Sequence, residues 1–429
     1  MYIYHNVKIK MGFHNTALYD FNEKRVYLVS QKTGEALSSG KIDSLDEKTI
    51  NKMLLLHLLT EDDSQKETTP LEFEYELFDD KYTYKKCQLA YLEITNKCNY
   101  HCLHCYANIQ RTANQFMEPE RVRKYIHQIA EIGNCDIRIT GGEPFLNKNI
   151  TEIIDIVHSD ILPITRHSIV TNGSFDICKA IHALEAGFEM QISVYGVNKE
   201  KFISFTNTSP QVYERVKENL EQLSTTKYRE QILLLFSVNS MSYDDIDVFK
   251  KYAEEKGFRY IFNRPASVGR AVDNWELLKL NEEDYESFSR SQRNPTPWFC
   301  YHICQLHWTS IMTNGDVSPC GFLRDKESIL GNLEDCSFKE LWESEIYQCF
   351  RKLNALSVAK CRDCEFCYLC TAGCCGETKA FHGNMTSPYV WCKIKPYVNE
   401  QYLNIEQSEL YRVIKNAAGL FDFEKVGVV

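Results

Sequence analysis

The sequence predicts an α/β protein built on a partial (β/α)6 barrel resembling a TIM barrel, with a small α+β module before it and a cysteine-rich region after it. Strand-like apolar runs alternate with amphipathic helical stretches between residues 89 and 263, a pattern typical of a parallel sheet with right-handed crossovers. The preceding residues have the periodicity of a hairpin followed by a helix. Twelve of the 18 cysteines fall between residues 300 and 392, which indicates a segment that folds around metal.

Composition narrows the class of protein. The chain has 429 residues, of which 44% are hydrophobic and 25% are charged, as in ordinary globular proteins. The net charge of −10 argues against nucleic acid as a partner. No apolar run approaches the ~20 residues of a membrane helix, and the N-terminus lacks a secretory signal. We therefore expect a cytoplasmic protein without a membrane partner, whose cysteines bind metal rather than form disulfides.

Residues 1–85 predict the α+β module. Residues 7–11 alternate as a strand does, and 17–21 and 25–30 form a hairpin around a short polar turn. Asp46 is placed to cap a helix whose apolar residues recur on one face.

Residues 86–297 predict the barrel. Helices are expected at 119–132 and 211–223, where apolar residues form a stripe. In such a barrel the active site lies at the carboxyl ends of the strands. The predicted strands are 89–95, 135–140, 167–171, 189–194, 231–238 and 258–263.

A loop of three cysteines follows the first predicted strand. Cys98, Cys102 and Cys105 are spaced C-x3-C-x2-C. Three thiolates on one short loop can hold three irons of a [4Fe–4S] cluster and leave the fourth iron open. A zinc site is the alternative, but zinc sites favour paired C-x2-C elements that supply four ligands. The spacing therefore favours an iron–sulfur cluster.

The second predicted strand ends in Gly141-Gly142-Glu143. Glycines let the backbone approach a ligand closely, and a carboxylate after them can accept a hydrogen bond from an ammonium group. The third and fourth strands end near Asn172 and Ser193, where ordinary turns are the alternative to a ligand site.

This combination of motifs, with His104 before the last cysteine of the loop, resembles the radical S-adenosylmethionine superfamily. The resemblance implies that Cys98, Cys102 and Cys105 hold the catalytic cluster and that its open iron binds S-adenosylmethionine. One departure is Tyr195, which stands where many relatives have an aspartate. The residues that the resemblance assigns to cofactor binding are His104, Gly141, Gly142, Glu143, Asn172 and Ser193.

Residues 298–400 carry a second cysteine pattern. Its spacing resembles the SPASM domain, which carries two auxiliary [4Fe–4S] clusters, whereas a zinc ribbon would explain only two of the cysteines. The stretch RPASVGRA (264–271) likewise resembles one found in relatives with a C-terminal cluster domain. By this resemblance the first auxiliary cluster takes Cys304, Cys320 and Cys374, with Cys300 as a candidate fourth ligand, and the second takes Cys361, Cys364, Cys370 and Cys392.

The remaining features have structural expectations. Residues 401–429 are expected to form a tail or a helix. The cysteines without an assigned role are expected to be mostly small buried apolar residues. They are Cys87, Cys135, Cys178, Cys336, Cys349, Cys367 and Cys375.

The resemblance implies an enzyme with three [4Fe–4S] clusters and S-adenosylmethionine as cofactors, reduced by a flavodoxin- or ferredoxin-type donor. Its 5′-deoxyadenosyl radical would remove a hydrogen from a ribosomally made precursor peptide, followed by an oxidative thioether or carbon–carbon crosslink. Residues 1–85 would bind the leader part of that peptide along an open edge of the hairpin at 17–30.

Three alternatives remain open. A sulfatase maturase would carry an aspartate, the proposed base, where Gly321 stands, and its cluster loop would lie closer to the N-terminus. A peptide-binding protein that keeps its clusters only for stability would not need the intact cysteine loop and Glu143. A tRNA-modifying enzyme is disfavoured by the acidic charge.

Overall fold

The computed structural model describes residues 1–12, 15–20, 23, 25–66, 87–133, 135–159, 166–291, 308–351, 353, 355–358, 360–367, 372–389 and 420–422. The chain divides into two compact units. The first comprises 1–79, 285–304 and 353–429, and the second comprises 80–284 and 305–352.

The strands, in chain order, are β1 Tyr2–Ile3, β2 Val7–Met11, β3 Thr16–Asp20, β4 Arg25–Val29, β5 Leu59–Thr60, β6 Leu89–Glu93, β7 Asp136–Thr140, β8 His167–Thr171, β9 Glu189–Val194, β10 Ile232–Ser237, β11 Arg259–Asn263, β12 Trp308–Ile311, β13 Asp316–Ser318, β14 Gly331–Asn332 and β15 Leu420–Asp422. The α-helices are α1 Gln31–Ser38, α2 Glu47–Leu55, α3 Pro119–Ala130, α4 Ile150–Ser159, α5 Ile177–Glu185, α6 Lys199–Thr206, α7 Pro210–Ser224, α8 Ile246–Lys256, α9 Arg270–Asp273, α10 Trp275–Leu278, α11 Glu282–Ser291, α12 Phe338–Glu343, α13 Glu345–Arg351 and α14 Cys375–His382.

The first unit contains the predicted hairpin. β3 and β4 pair antiparallel, and β2 adds to β3, so the predicted strand and hairpin are confirmed. Asp46 caps α2 as predicted, because its carboxylate accepts from the backbone N–H of Thr49 at 2.9 Å. Leu18, Tyr27 and Met53 lie in the core between this sheet and the helices.

The hairpin does not have the open edge that the sequence analysis expected. The sheet order is β15-β4-β3-β2, so β2 covers one side of the hairpin and β15 covers the other. β15 pairs parallel with β4, with Phe421 opposite Tyr27. The sequence predicts a tail or a helix over 401–429, but residues 420–422 form a strand because they pair with the backbone groups at the edge of β4. The rest of this segment lies outside the described residues.

The second unit contains the predicted parallel sheet. Its order is β11-β10-β9-β8-β7-β6-β12-β13-β14, and β6 to β11 run parallel to their neighbours. All six predicted strands are confirmed, with ends that differ by at most two residues. The predicted helices appear as α3 and α7. Their apolar stripes, for example Val122 and Ile126 of α3, are buried.

The sheet of the second unit also includes residues that the sequence analysis placed in the C-terminal domain. β12 pairs parallel with β6, and β13 and β14 continue the sheet antiparallel. Residues 305–352 therefore group with the barrel strands rather than with the rest of 298–400, because pairing with β6 satisfies their backbone groups. In the part of the chain that the structure describes, no helix has the length and apolar character needed to span a membrane.

Candidate active site

The three cysteines predicted to bind a cluster lie in one tight loop after β6. Cys102 is buried, and Cys98 and Cys105 are partly exposed. The loop is folded by local contacts: the N–H of Tyr100 points at Cys98 Sγ at 3.4 Å, and the N–H of Cys105 donates to the carbonyl of Cys102 at 3.3 Å. We refer to residues 98–105 as the cluster loop.

The surroundings of the cluster loop disfavour three free thiolates. Burial, aided by the charges of Glu143 and Cys105, raises the pKa of Cys98 to about 12 against the hydrogen bond from Tyr100. Burial also raises the pKa of Cys102, followed by the charges of Cys98 and Cys105. Metal cations that bind sulfur would remove this penalty, so the donor set fits an iron–sulfur cluster.

No group of three His, Cys, Asp or Glu side chains converges on a single metal ion within the described residues. Thiolates that bind a cluster each take a different iron, so they need not converge on one point. The arrangement of the cluster loop is thus compatible with a cluster and offers no site for one ion held by three side chains.

The glycines after β7 bring the backbone close to the cluster loop. Gly141 has φ +130°, and a Cβ there would lie 2.1 Å from the carbonyl oxygen of Thr95. A Cβ on Gly142 would lie 2.0 Å from the carbonyl oxygen of Lys97. The N–H groups of Gly142 and Glu143 donate to these two carbonyls at 2.7 and 2.8 Å. Both glycines thus lie against the backbone that enters the cluster loop, and their approach to a ligand stays a prediction.

Glu143 is a buried acid whose hydrogen-bond donors among the described residues are all neutral. It is 1% exposed, and its carboxylate accepts from the N–H of Asn172 at 2.7 Å and from Thr171 Oγ1 at 2.7 Å. Burial raises its pKa to about 7 against these hydrogen bonds and that from Phe145. Among the described residues no cationic side chain pairs with it. A cationic or amine ligand is what this carboxylate lacks, which fits the amino group of S-adenosylmethionine.

Asn172 joins Glu143 to the cluster loop. Its Nδ2 donates to Asn99 Oδ1 at 2.9 Å, and its carbonyl accepts from the Tyr100 hydroxyl at 3.1 Å. Asn99 Nδ2 in turn donates to Ser174 Oγ at 2.8 Å. The structure thus brings Glu143, Asn172 and the cluster loop together. Asn99 and Tyr100 were not predicted, because no spacing rule marks residues between ligands.

The other two predicted cofactor-binding residues, His104 and Ser193, lie near Tyr195 in space or in sequence. The His104 ring packs on Tyr195 and Phe205, with ring centroids 5.1 and 4.9 Å apart. Burial, and then the charge of Arg270, lower the pKa of His104 to about 4, so this imidazole is neutral at neutral pH. Ser193 lies on β9 two residues before Tyr195. Tyr195, which replaces the aspartate of many relatives, therefore packs against the cluster loop.

Of the predicted auxiliary-cluster ligands, the second unit contains Cys320. The loop after it is held by an ion pair in which Arg324 donates with both Nη atoms to Glu93, Nη2 to Oε2 at 2.9 Å. The Arg324 guanidinium also lies over the Tyr106 ring, 5.9 Å from its centroid. A Cβ on Gly321 would lie 3.5 Å from the same ring. The Cys320 loop therefore contacts the residue that follows the cluster loop.

The first unit contains Cys361, Cys364 and Cys374. Cys364 is buried, and the N–H of Phe366 points at its sulfur at 3.5 Å. Cys374 directly precedes α14. Cys300, Cys304, Cys370 and Cys392 lie outside the described residues, so the two auxiliary ligand sets stay predictions. The cysteines without an assigned role are buried at Cys87, Cys135, Cys367 and Cys375, partly exposed at Cys336 and exposed at Cys178 and Cys349.

A parallel sheet with three cysteines after its first strand and a buried acid after its second is the arrangement expected of a radical S-adenosylmethionine domain. Residues 92–278 match the family model of the Radical SAM superfamily, and residues 300–365 match SPASM, an iron-sulfur cluster-binding domain. The chain therefore contains a Radical SAM domain over residues 92–278 and a SPASM domain over residues 300–365. A Radical SAM domain implies S-adenosylmethionine and a [4Fe–4S] cluster as cofactors.

Curated relatives have diverse activities. The AdoMet-dependent heme synthase of Methanosarcina barkeri (strain Fusaro / DSM 804) is 23% identical over 346 residues, which is 71% of this chain and 95% of that protein. The sporulation killing factor maturation protein SkfB of Bacillus subtilis (strain 168) is 26% identical over 45% of this chain and 46% of its own length. The antilisterial bacteriocin subtilosin biosynthesis protein AlbA, also of Bacillus subtilis (strain 168), is 25% identical over 60% of each chain.

Solved structures support the fold. The structure of anSMEcpe with bound AdoMet has a TM-score of 0.57 and 20% identity and covers 77% of this chain and 99% of its own. Streptococcus suis SuiB bound to the precursor peptide SuiA has a TM-score of 0.52 and 12% identity and covers 90% of this chain and 98% of its own. At this level of identity the likeness concerns the fold.

We expect Glu143→Gln to weaken binding of S-adenosylmethionine about tenfold or more. The amide keeps the shape of the side chain but loses the charge, and a hydrogen bond to a charged group contributes about 1.5–3 kcal/mol. Calorimetric titration of the cluster-loaded protein measures this change, and iron content should be unaltered. Glu152→Gln, an exposed glutamate on α4, is the matched control. Equal affinity in Glu143→Gln and wild type would rule out this role.

Proposed function

We propose that this protein is a radical SAM peptide maturase that forms an oxidative thioether or carbon–carbon crosslink in a ribosomally made precursor peptide. The observation that carries the proposal is the intact cluster loop joined by hydrogen bonds to a buried carboxylate without a cationic partner among the described residues. An α+β module lies before the barrel, where a peptide-recognition element would be expected. The names of SkfB and AlbA, which concern maturation of a killing factor and biosynthesis of a bacteriocin, support a peptide substrate.

In this proposal each part of the site has a defined task. Cys98, Cys102 and Cys105 hold the catalytic cluster, and Glu143 orients the amino group of S-adenosylmethionine. Asn172 holds Glu143 and the cluster loop in register. When bound, S-adenosylmethionine and the reduced cluster supply the radical chemistry that removes a hydrogen atom from the peptide.

Two auxiliary clusters would take up the electron that the substrate loses when the new bond closes, which makes three [4Fe–4S] clusters in all. Their ligands would be those given by the SPASM resemblance: Cys300, Cys304, Cys320 and Cys374 for the first, and Cys361, Cys364, Cys370 and Cys392 for the second. A flavodoxin- or ferredoxin-type protein would reduce the catalytic cluster.

Leader recognition would take place on the first unit. Both edges of the hairpin are paired with other strands of the chain. We therefore place the leader peptide at the outer edge of β2, which no other described strand covers. An extended peptide can add to the edge of a sheet as a further strand, because strand edges offer backbone N–H and C=O groups for pairing.

Formylglycine formation is the alternative activity. The residue after Cys320 is Gly321, which supplies no base, and a side chain there would be in van der Waals contact with Tyr106. The N-terminal module before the cluster loop also favours a precursor peptide over a sulfatase.

Anaerobic turnover tests the proposal. The reconstituted enzyme, given a reductant, S-adenosylmethionine and its precursor peptide, should form 5′-deoxyadenosine and a peptide lighter by two hydrogens. Fragmentation by mass spectrometry locates the crosslink. A product with an aldehyde at Cys or Ser would establish formylglycine formation instead. Absence of 5′-deoxyadenosine from a fully cluster-loaded protein would support the non-catalytic alternative.

A further inference from the structure

We propose that Arg270 is a positioning residue that holds the carbonyl groups of the cluster loop and places a fixed positive charge beside the catalytic cluster, which favours its reduction. Arg270 lies at the start of α9, in the stretch RPASVGRA, to which the proposed function assigns no task. The inference depends on the cluster of the superfamily and is independent of the substrate.

The hydrogen bonds of Arg270 go to the cluster loop and the residues after it. Its Nη1 donates to the carbonyl of Cys102 at 2.8 Å, and its Nη2 donates to the carbonyl of Ile109. Its backbone N–H donates to the carbonyl of Cys105 at 3.0 Å. One residue therefore holds the carbonyls of two cluster ligands and of the segment that leaves the loop.

Its neighbours complete this contact. Asn274 Nδ2 donates to the carbonyl of Leu103 at 3.2 Å and to the carbonyl of Arg270 at 3.0 Å. Gly269 has φ +58°, and a Cβ there would lie 2.3 Å from the carbonyl oxygen of Tyr106. The backbones of the two segments are thus so close that only glycine fits at this position. Apart from the carbonyls of Ile109 and Arg270, every carbonyl that accepts these hydrogen bonds lies in the cluster loop.

The charge of Arg270 has no acidic partner among the described side chains. The residue is 8% exposed, and the acceptors of its guanidinium are neutral carbonyls. A buried cation without a counter-ion is costly. The three thiolates of a cluster bound to the cluster loop would supply negative charge near Arg270. Their interaction with Arg270 would be strong because water is largely excluded.

The same charge acts on the redox equilibrium. When the cluster takes up one electron from its donor protein, its net negative charge rises by one. A fixed positive charge stabilises the reduced form more than the oxidised form, and cluster potentials depend on net charge and on hydrogen bonding. Removing the charge should therefore lower the midpoint potential of the catalytic cluster.

Three variants separate the two tasks. Arg270→Gln removes the charge and keeps one donor, Arg270→Lys keeps the charge and loses the planar fork, and Arg215→Met is a control that removes an exposed arginine from the same unit. The catalytic cluster is recognised in the holoenzyme as the electron paramagnetic resonance signal that changes on adding S-adenosylmethionine, and its intensity is followed against applied potential.

We expect Arg270→Gln to make reduction about tenfold less favourable, which is about 59 mV for one electron. Arg270→Lys should keep a near wild-type potential but lose iron to a chelator several-fold faster, because the carbonyls are held less well. Arg215→Met should match wild type in both measurements. A wild-type potential in Arg270→Gln overturns the electrostatic role, and wild-type iron loss in Arg270→Lys overturns the positioning role. If Arg270→Gln retains no cluster, Arg270→Lys takes its place in this test. In that case, an Arg270→Lys variant whose cluster is about tenfold harder to reduce than that of the wild type would overturn the electrostatic role, because it keeps the charge.

Discussion

Replacing Cys98, Cys102 and Cys105 together by alanine should abolish 5′-deoxyadenosine formation and remove about four irons from a total of about twelve per chain. In the proposed function each of these thiolates binds one iron of the catalytic cluster, so no protein ligand would be left after the triple replacement. The loop itself should stay folded, because its carbonyls accept from Arg270, Asn274 and backbone N–H groups, none of which the cysteine side chains supply. Iron and sulfide analysis after anaerobic reconstitution, with chromatography of the nucleoside product, measures both effects.

The control for this experiment is Cys178→Ala combined with Cys349→Ala. Both cysteines are exposed and stand outside the two cysteine patterns. Wild-type iron content and activity are expected in the control. Stoichiometric zinc with little iron or sulfide in the wild-type protein would contradict the cluster assignment, and unchanged iron in the triple variant would contradict its location.

Deleting residues 1–85 should separate S-adenosylmethionine cleavage from peptide modification. The barrel strands and the cluster loop belong to the other unit and should still cleave the cofactor, whereas most modification of the full-length peptide should be lost. The deletion also removes the Tyr19 hydroxyl and the Lys10 ammonium, which donate to the carbonyls of Glu365 and Arg362 near Cys361 and Cys364. Rates must therefore be compared per cluster-loaded chain after iron has been measured.

A second deletion, of residues 418–429, locates the leader. It removes β15 and opens the edge of β4 while leaving β2 intact. If the leader adds to β2, its affinity should be unchanged in this variant. A clear rise in affinity would instead indicate that β15 competes with the leader for β4. Wild-type modification by the chain without 1–85 would mean that the module only stabilises the fold.

The fold could be predicted where the signal is local. Strands such as β9 and helices such as α3 have a periodicity that is visible in a few consecutive residues, and the cluster loop is defined by spacing within eight residues. The pairing of β12 with β6 and of β15 with β4 could not be predicted, because strand partners far apart in sequence share no local pattern.

The candidate site shows the same division. Glu143 could be predicted from its motif, but its hydrogen bonds with Thr171 and Asn172 depend on how neighbouring strands end. Arg270 reaches Cys102 across 168 positions of sequence, so only the folded chain reveals the contact. The glycines after β7 lie against the backbone of Thr95 and Lys97, a contact that the motif alone does not reveal, and their approach to a ligand stays a prediction.

The pairing of β6 with β12 has a consequence for synthesis on the ribosome. One edge of β6, the strand that leads into the cluster loop, is paired by β12, which lies more than 200 residues later in the sequence. The ion-pair partner of its Glu93 is Arg324, 231 positions later. Until those residues emerge from the ribosome, this edge of β6 is unpaired and Glu93 lacks its arginine. Unpaired strand edges of nascent chains aggregate or recruit chaperones. Contacts of such long range also slow folding. Cluster insertion into the nascent chain would therefore follow, rather than precede, release of the sequence around β12 to β14.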